Sequence, residues 1–308
     1  MTTAYLAAPE FEERLDAELA HAGVAVSLVH GRLRVSEDPP VKAAWAANIW
    51  WDAERIEVTS IGHAARELRS RQRNWALYAP ELRGRAELVT DKLPHVASHP
   101  LKLGELAPEG ELGSWTLLSR DVVLASSRCS NPFPNGEPKL IEDRGGPPSR
   151  AYLKLWEALA RLRRQPQPGE RCLDLGAAPG GWTWLIARTG AHVLAVDKAE
   201  LAGYVERKPN VTWQEGSAFA MDPAHHKPFD WLFSDIICYP DRLHRLVSTW
   251  LDAGKVRNVV VTIKMQGGVD HAAVERFASL PNAQVFHLDH NKHELTCAIL
   301  DAPGFGER

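Results

Sequence analysis

Leu173-Asp174-Leu175-Gly176-Ala177-Ala178-Pro179-Gly180-Gly181-Trp182-Thr183 reads as the end of a buried strand, a glycine turn and the opening of a helix. Glycine at 176 and 180 permits positive φ and lets the backbone approach a bound group. A helix opening at Gly181 offers unpaired N–H groups to a polar or anionic ligand. The neighbouring sequence keeps the same alternation. A helix over 150–164 precedes the turn, and the turn's own helix covers 181–189. Strands follow at 192–197, 211–214 and 231–235, a helix at 241–251, a strand at 256–264, a helix at 270–280, and strands at 283–288 and 294–300. Apolar strands alternating with helices build a parallel sheet covered on both faces. The last two strands, joined by a polar turn, are expected to form an antiparallel hairpin at one edge.

The turn narrows the ligand. Its pattern is G-A-A-P-G-G rather than G-x-G-x-x-G. The proline and the leading aspartate are unusual for a dinucleotide site and typical of S-adenosylmethionine binding. Asp174, Gly176, Ala177, Ala178, Pro179, Gly180, Gly181 and Trp182 are the expected contacts. Asp197, 23 residues beyond Asp174, ends the next strand, where a carboxylate can hold ribose hydroxyls. Taken alone, Asp197 serves equally well as a helix N-cap. With the edge hairpin, the expected fold is a Rossmann-like class I methyltransferase sheet.

Four further polar residues fall where an open α/β sheet places its chemistry, beyond the carboxyl ends of strands. Asp235 closes the run Trp231-Leu232-Phe233-Ser234, and Lys264 closes Val259-Val260-Val261-Thr262-Ile263. An ionised residue ending a buried strand is costly unless it faces a site. Lys154 lies on the preceding helix and Glu294 opens the last strand. Singly, each has a structural reading as a surface lysine, a strand-end cap or an edge residue. Their occurrence together beside the glycine turn marks them as a catalytic set.

These stretches resemble the FtsJ-type RNA 2′-O-methyltransferases, and more closely the ribosomal RNA large subunit methyltransferase M family. The resemblance runs from about Ser130 to Thr296 through SNPFPNGEPKL, PPSRAYLKL, LDLGAAPGGWTW, AVDKAEL, VTWQEG, SDI, VTIKMQ and HNKHELT. It implies a Lys–Asp–Lys–Glu tetrad formed by Lys154, Asp235, Lys264 and Glu294, with S-adenosylmethionine as cofactor and ribosomal RNA as partner. Asp235 also counts among the implied cofactor contacts. Ser217 occupies the place where the family carries an acidic adenine ligand, so backbone at 216–218 is expected to take over that contact. The family's THUMP RNA-binding module has little room between Ser60 and Ser127, and a shortened version is expected. A ribose hydroxyl needs its proton removed. Lys264 is the expected base, its pKa lowered by burial and by Lys154. Asp235 and Glu294 would orient the lysines.

Composition sets the outer bounds. The chain has 308 residues, 44% hydrophobic and 24% charged, with a formal net charge of −3. It is long enough for two domains. The segment 129–148 holds five prolines and three glycines and reads as a linker between an N-terminal α+β domain (1–128) and the methyltransferase domain (149–308). The N-terminal domain is expected to be ferredoxin-like and RNA-binding. Its expected order is strand 4–8, helix 9–22, a hairpin of strands 24–29 and 32–35, helix 41–51 and strand 56–60, with 115–127 the best later strand. The net charge excludes a globally basic nucleic-acid binder, so phosphate contacts fall to a local patch, Arg150, Lys154, Arg161, Arg163 and Arg164. Of the 11 tryptophans, one of the pair Trp50-Trp51 is a candidate exposed base-stacking residue.

The four cysteines are scattered and read as reduced thiols in a cytoplasmic protein. No apolar run approaches a membrane span. His287, His290 and His293 lack the spacing and the cysteine partner of a zinc site, so no metal is expected. The sequence leaves the oligomeric state open. Competing readings are a class I methyltransferase acting on another RNA or on a non-RNA substrate, a nucleotide-dependent oxidoreductase, and a non-catalytic RNA-binding protein.

Overall fold

The computed structural model describes residues 1–96, 99–265, 267–268 and 270–306. The chain divides into two units, Met1–Leu101 with Ala107–Leu140, and Lys102–Leu106 with Ile141–Arg308. Among the described residues no helix is long and apolar enough to cross a membrane.

The first unit comprises β1 (Thr3–Ala7), α1 (Glu12–His21), β2 (Leu28–His30), β3 (Leu33–Ser36), β4 (Ala46–Trp51), β5 (Glu54–Glu57), α2 (Ile61–Arg71), β6 (Trp75–Leu77), α3 (Arg83–Thr90), β7 (Gly113–Ser119), β8 (Val122–Ser126) and β9 (Arg128–Cys129). One sheet has the order β2-β3-β1-β4-β9, and a second has the order β5-β8-β7-β6. Helices α2 and α3 supply Ala64, Leu68, Ala86 and Val89 to a core shared with Trp75, Trp115 and Val123.

Residues 41–51, expected as a helix, contain strand β4 instead, so the strand–helix–strand–strand–helix–strand order of a ferredoxin-like sheet does not hold. β4 is flanked by β1 and β9, and its residues are buried on both faces. A short apolar run of that kind carries no periodicity to separate it from a buried helix. Neither tryptophan of the Trp50-Trp51 pair is exposed: Trp50 is fully buried and Trp51 partly so.

The second unit comprises α4 (Tyr152–Leu162), β10 (Arg171–Leu175), α5 (Gly181–Arg188), β11 (His192–Asp197), α6 (Gly203–Glu206), β12 (Val211–Glu215), β13 (Phe229–Ser234), α7 (Pro240–Asp252), β14 (Val256–Lys264), α8 (His271–Ala278), β15 (Ala283–Phe286) and β16 (Glu294–Ile299). Its sheet runs β12-β11-β10-β13-β14-β16-β15. The first five strands are parallel, and β16 enters antiparallel to both β14 and β15. This is the expected Rossmann-like methyltransferase sheet with its reversed C-terminal hairpin. Strands β10, β13 and β14 are largely buried, as strands of a parallel sheet covered on both faces are. Trp231 stacks on Phe233 at 5.5 Å, and Trp250 of α7 meets Phe229 edge-on at 5.8 Å. Aromatic side chains of this size each withdraw about 150–250 Å² from water, which fixes the helices on the sheet.

The register aligns the carboxyl ends of the strands. Leu175 pairs with Val196 and with Ser234, and Ser234 pairs with Val261. Gly176, Asp197 and Asp235 therefore leave the sheet at one edge, and β14 continues past them to Lys264.

Candidate active site

The turn after β10 is held from inside. Gly176 and Ala177 donate their N–H groups to the Val196 carbonyl at 2.9 and 3.3 Å. Gly176 has φ +77° and Gly180 φ +105°, in the region that favours glycine. A Cβ at Gly176 would lie 3.0 Å from the Ile236 side chain, and one at Gly180 would lie 3.2 Å from Val205. Asp174 is fully buried, and its Oδ2 accepts from Thr183 Oγ1 at 2.6 Å, tying β10 to α5. Burial raises its carboxyl to about 7 despite that hydrogen bond, and the negative charges of Asp235 and Asp197 add to the effect. Trp182 is also interior, its indole N–H donating to the Ala151 carbonyl at 2.9 Å. The side chains of Asp174 and Trp182 thus brace the turn, while its backbone forms the open surface. Helix α5 begins at Gly180 with no side-chain cap.

Asp197 accepts from the N–H of Ala178 at 3.0 Å and of Ala199 at 3.0 Å. It fixes the turn against β11 and keeps further lone pairs on both oxygens. Ser217 caps a short 3-10 turn, accepting from Phe219 N–H at 3.3 Å, next to Gly216, whose N–H reaches the Asp197 carbonyl.

One strand along, four side chains distant in sequence meet. Helix α4 brings Lys154, the end of β13 brings Asp235, the end of β14 brings Lys264, and the start of β16 brings Glu294. Lys264 Nζ lies 2.5 Å from Asp235 Oδ1 and 2.6 Å from Glu294 Oε2. Lys154 Nζ lies 3.3 Å from Asp235 Oδ2 and pairs with Glu294 Oε1. Each lysine touches both carboxylates, so the four form a closed ring of alternating charge. Their side chains are 10–19% exposed, enough to be reached and little enough for the charges to be weakly screened.

The ring corrects one electrostatic expectation. Burial does act to lower the Lys264 pKa, but Asp235 and Glu294 outweigh it and the ammonium is held above its ordinary value.

The segment leading into Glu294 is anchored from α4. Glu157, one turn beyond Lys154, is buried and accepts from the N–H of Asp289 at 2.7 Å, the N–H of His290 at 2.9 Å and His290 Nδ1 at 2.7 Å. Another α4 residue, Arg161, donates to the His287 carbonyl at 3.2 Å and lies over the Phe286 ring at 4.2 Å. Burial lowers the Arg161 guanidinium to about 10. The basic patch expected on this helix is therefore dispersed. Arg161 turns inward, Arg164 is taken up by Asp301 and Arg150 by Glu142. These arginines are close in sequence, but Arg150 precedes α4 and Arg164 follows it, and their side chains leave in different directions. His287 is buried and bonded to the Lys292 carbonyl, and His290 is committed to Glu157. Among the described residues no group of three or more His, Cys, Asp or Glu could hold a metal ion.

Two residues near the site went unassigned in the sequence reading. Glu157 looked like any helix glutamate. Ser149 was only part of the run before Lys154, yet its Oγ is buried without a hydrogen-bond partner, and a Cβ added at Gly181 would collide with it. The only sequence signal is its place just ahead of α4, because the approach to α5 is made in three dimensions.

Residues 147–259 match the family model of FtsJ-like methyltransferases. This stretch is an FtsJ-like methyltransferase domain. Curated relatives carry the name ribosomal RNA large subunit methyltransferase M. That of Halorhodospira halophila is 40% identical over 136 residues, 43% of this chain and 39% of the relative. That of Alkalilimnicola ehrlichii is 38% identical over 169 residues, 52% of this chain and 46% of the relative. That of Xanthomonas oryzae pv. oryzae is 37% identical over 152 residues, 47% and 42%. The matched stretch spans less than half the length of each. The FtsJ-like domain as matched contains the glycine turn, Asp197, Ser217, Lys154 and Asp235. Lys264 and Glu294 lie beyond it and join the site through β14 and β16.

Proposed function

We propose that this chain is an S-adenosylmethionine-dependent RNA ribose 2′-O-methyltransferase acting on large-subunit ribosomal RNA in the cytoplasm. The observation that carries the reading is the ring of Lys154, Asp235, Lys264 and Glu294 beside an open glycine turn. A methyltransferase for a substrate that is already nucleophilic has no need of two lysines locked between two carboxylates.

The residues fit the cofactor. The turn presents backbone where a Cβ at Gly176 or Gly180 would crowd its neighbours, α5 leaves its first N–H groups uncapped, and the Ser149 hydroxyl beside them lacks a partner. In this reading the backbone of 176–181 and Ser149 hold the amino-acid end, Asp197 the ribose, and the backbone at 216–218 the base. When bound, S-adenosylmethionine supplies a methyl group activated on a sulfonium, a positive charge of the same sign as the lysines.

The chain's part is to ready the hydroxyl. Lys264 is the base, and it must reach its neutral form before it can take the 2′-hydroxyl proton. Asp235 and Glu294 aim its Nζ from two sides, and Lys154 stays charged to steady the developing alkoxide. The N-terminal α+β unit serves in this proposal as the RNA-gripping module. The 2′-hydroxyl requirement makes RNA, not DNA, the substrate.

The test is transfer of a labelled methyl group from S-adenosylmethionine to ribosomal RNA from cells lacking the protein, with 2′-O-methylation mapped at nucleotide resolution. A new methylated ribose that disappears with Lys264→Ala supports the reading. Label that enters a base, a protein or a metabolite instead overturns it.

A further inference from the structure

The segment between β13 and α7, Asp235-Ile236-Ile237-Cys238-Tyr239, joins the two halves of the site. Asp235 belongs to the charged ring. Ile236 packs against Gly176, so closely that a Cβ there would sit 3.0 Å from its side chain. Cys238 is half-buried: burial raises its thiol, and the charges of Arg242 and Lys264 pull against that rise. The two residues flanking Cys238 are far more exposed. Ile237 is 85% exposed and Tyr239 67% exposed.

Single apolar side chains on a surface need no explanation, but two large ones two positions apart, at the rim of a charged site, do. The backbone beneath them is restrained. Ser234 is buried and bonded to the Leu175 carbonyl at 2.9 Å, and Pro240 is buried as the first residue of α7. A residue before proline is confined to extended backbone, which is where Tyr239 lies, at φ −64° and ψ 144°. Two exposed apolar side chains on a restrained stretch of backbone are therefore presented next in sequence to Asp235 of the charged ring. Arg242, one helical turn on, is exposed, and its guanidinium lies over the Phe219 ring at 3.6 Å, leaving its positive charge open to solvent.

We propose that Ile237 and Tyr239 form a platform on which a nucleobase of the substrate RNA lies while the ribose reaches Lys264. A base is the partner whose chemistry matches: it offers a π face to the tyrosine ring and the isoleucine, and is joined through its sugar to phosphates that suit Arg242. The platform selects unstacked RNA, because a paired base in a helix has no free face to give. This inference rests on the RNA reading given above.

The test uses the full chain, unmodified large-subunit ribosomal RNA transcribed in vitro, and the variants Ile237→Ala, Tyr239→Ala, Tyr239→Phe and Tyr239→Trp. Loss of one stacked base is expected to raise the KM for RNA about 10-fold in Tyr239→Ala. A smaller rise is expected in Ile237→Ala, and near-normal values in Tyr239→Phe and Tyr239→Trp. Calorimetric affinity for S-adenosylmethionine and the unfolding midpoint should stay unchanged in all four. If the wild type methylates no RNA, the RNA reading falls and the platform with it. If the wild type is active and Tyr239→Ala keeps its KM, the platform alone is refuted. Equal loss in Tyr239→Phe, or a matching loss of cofactor affinity, likewise refutes a stacking role.

Discussion

Lys264 and Glu294 stand directly opposite each other across the antiparallel pairing of β14 and β16, with Nζ 2.6 Å from Oε2. Directly opposed residues of opposite charge stabilise a strand pair, and here both side chains are less than a fifth exposed. Lys264→Met and Glu294→Gln should each destabilise the fold. A double-mutant cycle in urea should return a coupling of about 1–3 kcal/mol. Additive losses would mean that the pair is a neighbourhood and not an interaction.

The raised pKa of Lys264 makes a directional claim about rate. The amine acts as a base only when neutral, and Asp235 and Glu294 favour its charged form. Methyl transfer under single-turnover conditions should therefore climb as pH rises beyond neutrality. In Asp235→Asn one stabilising charge is gone, so the inflection should move to lower pH even as the maximum rate drops. An inflection that stays in place would remove Lys264 as the titrating base.

His287 and His290, three residues apart, should titrate in opposite directions. Burial lowers His287 to about 4, so its neutral form is the folded one. The stability it contributes is complete above its unfolded value and is lost as pH falls from about 6.5 towards 4. Burial also pulls His290 down, but its bond to Glu157 and the charge of that carboxylate outweigh burial and raise it. Its contribution is complete below the unfolded value and is lost as pH rises through the folded one. Imidazole resonances followed by NMR should show one ring uncharged at pH 6 and the other still charged above pH 6.5.

Glu157→Gln tests the anchoring of Glu294. An amide has one acceptor oxygen where the carboxylate has two, so one of the two backbone N–H groups of 289 and 290 would face another donor. The expected loss is about 1–3 kcal/mol in stability. Displacement of Glu294 should lower kcat about 10–100-fold, with cofactor affinity retained. A variant with normal kcat would show that the segment before β16 positions itself.

How much of this was legible in sequence follows from where each signal lies. The strands and helices after residue 150 were readable because short apolar runs such as Trp231–Phe233 and Val259–Val261 alternate with helical stretches and are punctuated by glycine and proline. Asp235 and Lys264 stood out because each closes an apolar run, whereas Lys154 on its helix and Glu294 at the start of a strand were singled out by their company and by the family resemblance. Strand β4 was not readable, since Ala46–Trp51 is apolar on both faces and carries no period. Nor was the fate of Arg161 and Arg164, since their place at the end of α4 and just beyond it says nothing about Phe286 or Asp301 waiting elsewhere. The sign of the Lys264 shift was misjudged for a similar reason. The sequence supplied the neighbouring cation, but only the folded register brings two carboxylates to the same nitrogen.

The five residues Lys102–Leu106 belong with the catalytic half although the flanking chain does not. Glu105 lends its carbonyl to the indole N–H of the interior Trp156, at 3.0 Å. A fragment cloned from Ile141 onward would leave that donor stranded in the core of the helix bearing Lys154, at a cost of about 1–3 kcal/mol. The smallest autonomous version of the second unit is thus a stitched object, and a designer trimming it must graft a peptide as well as make a cut.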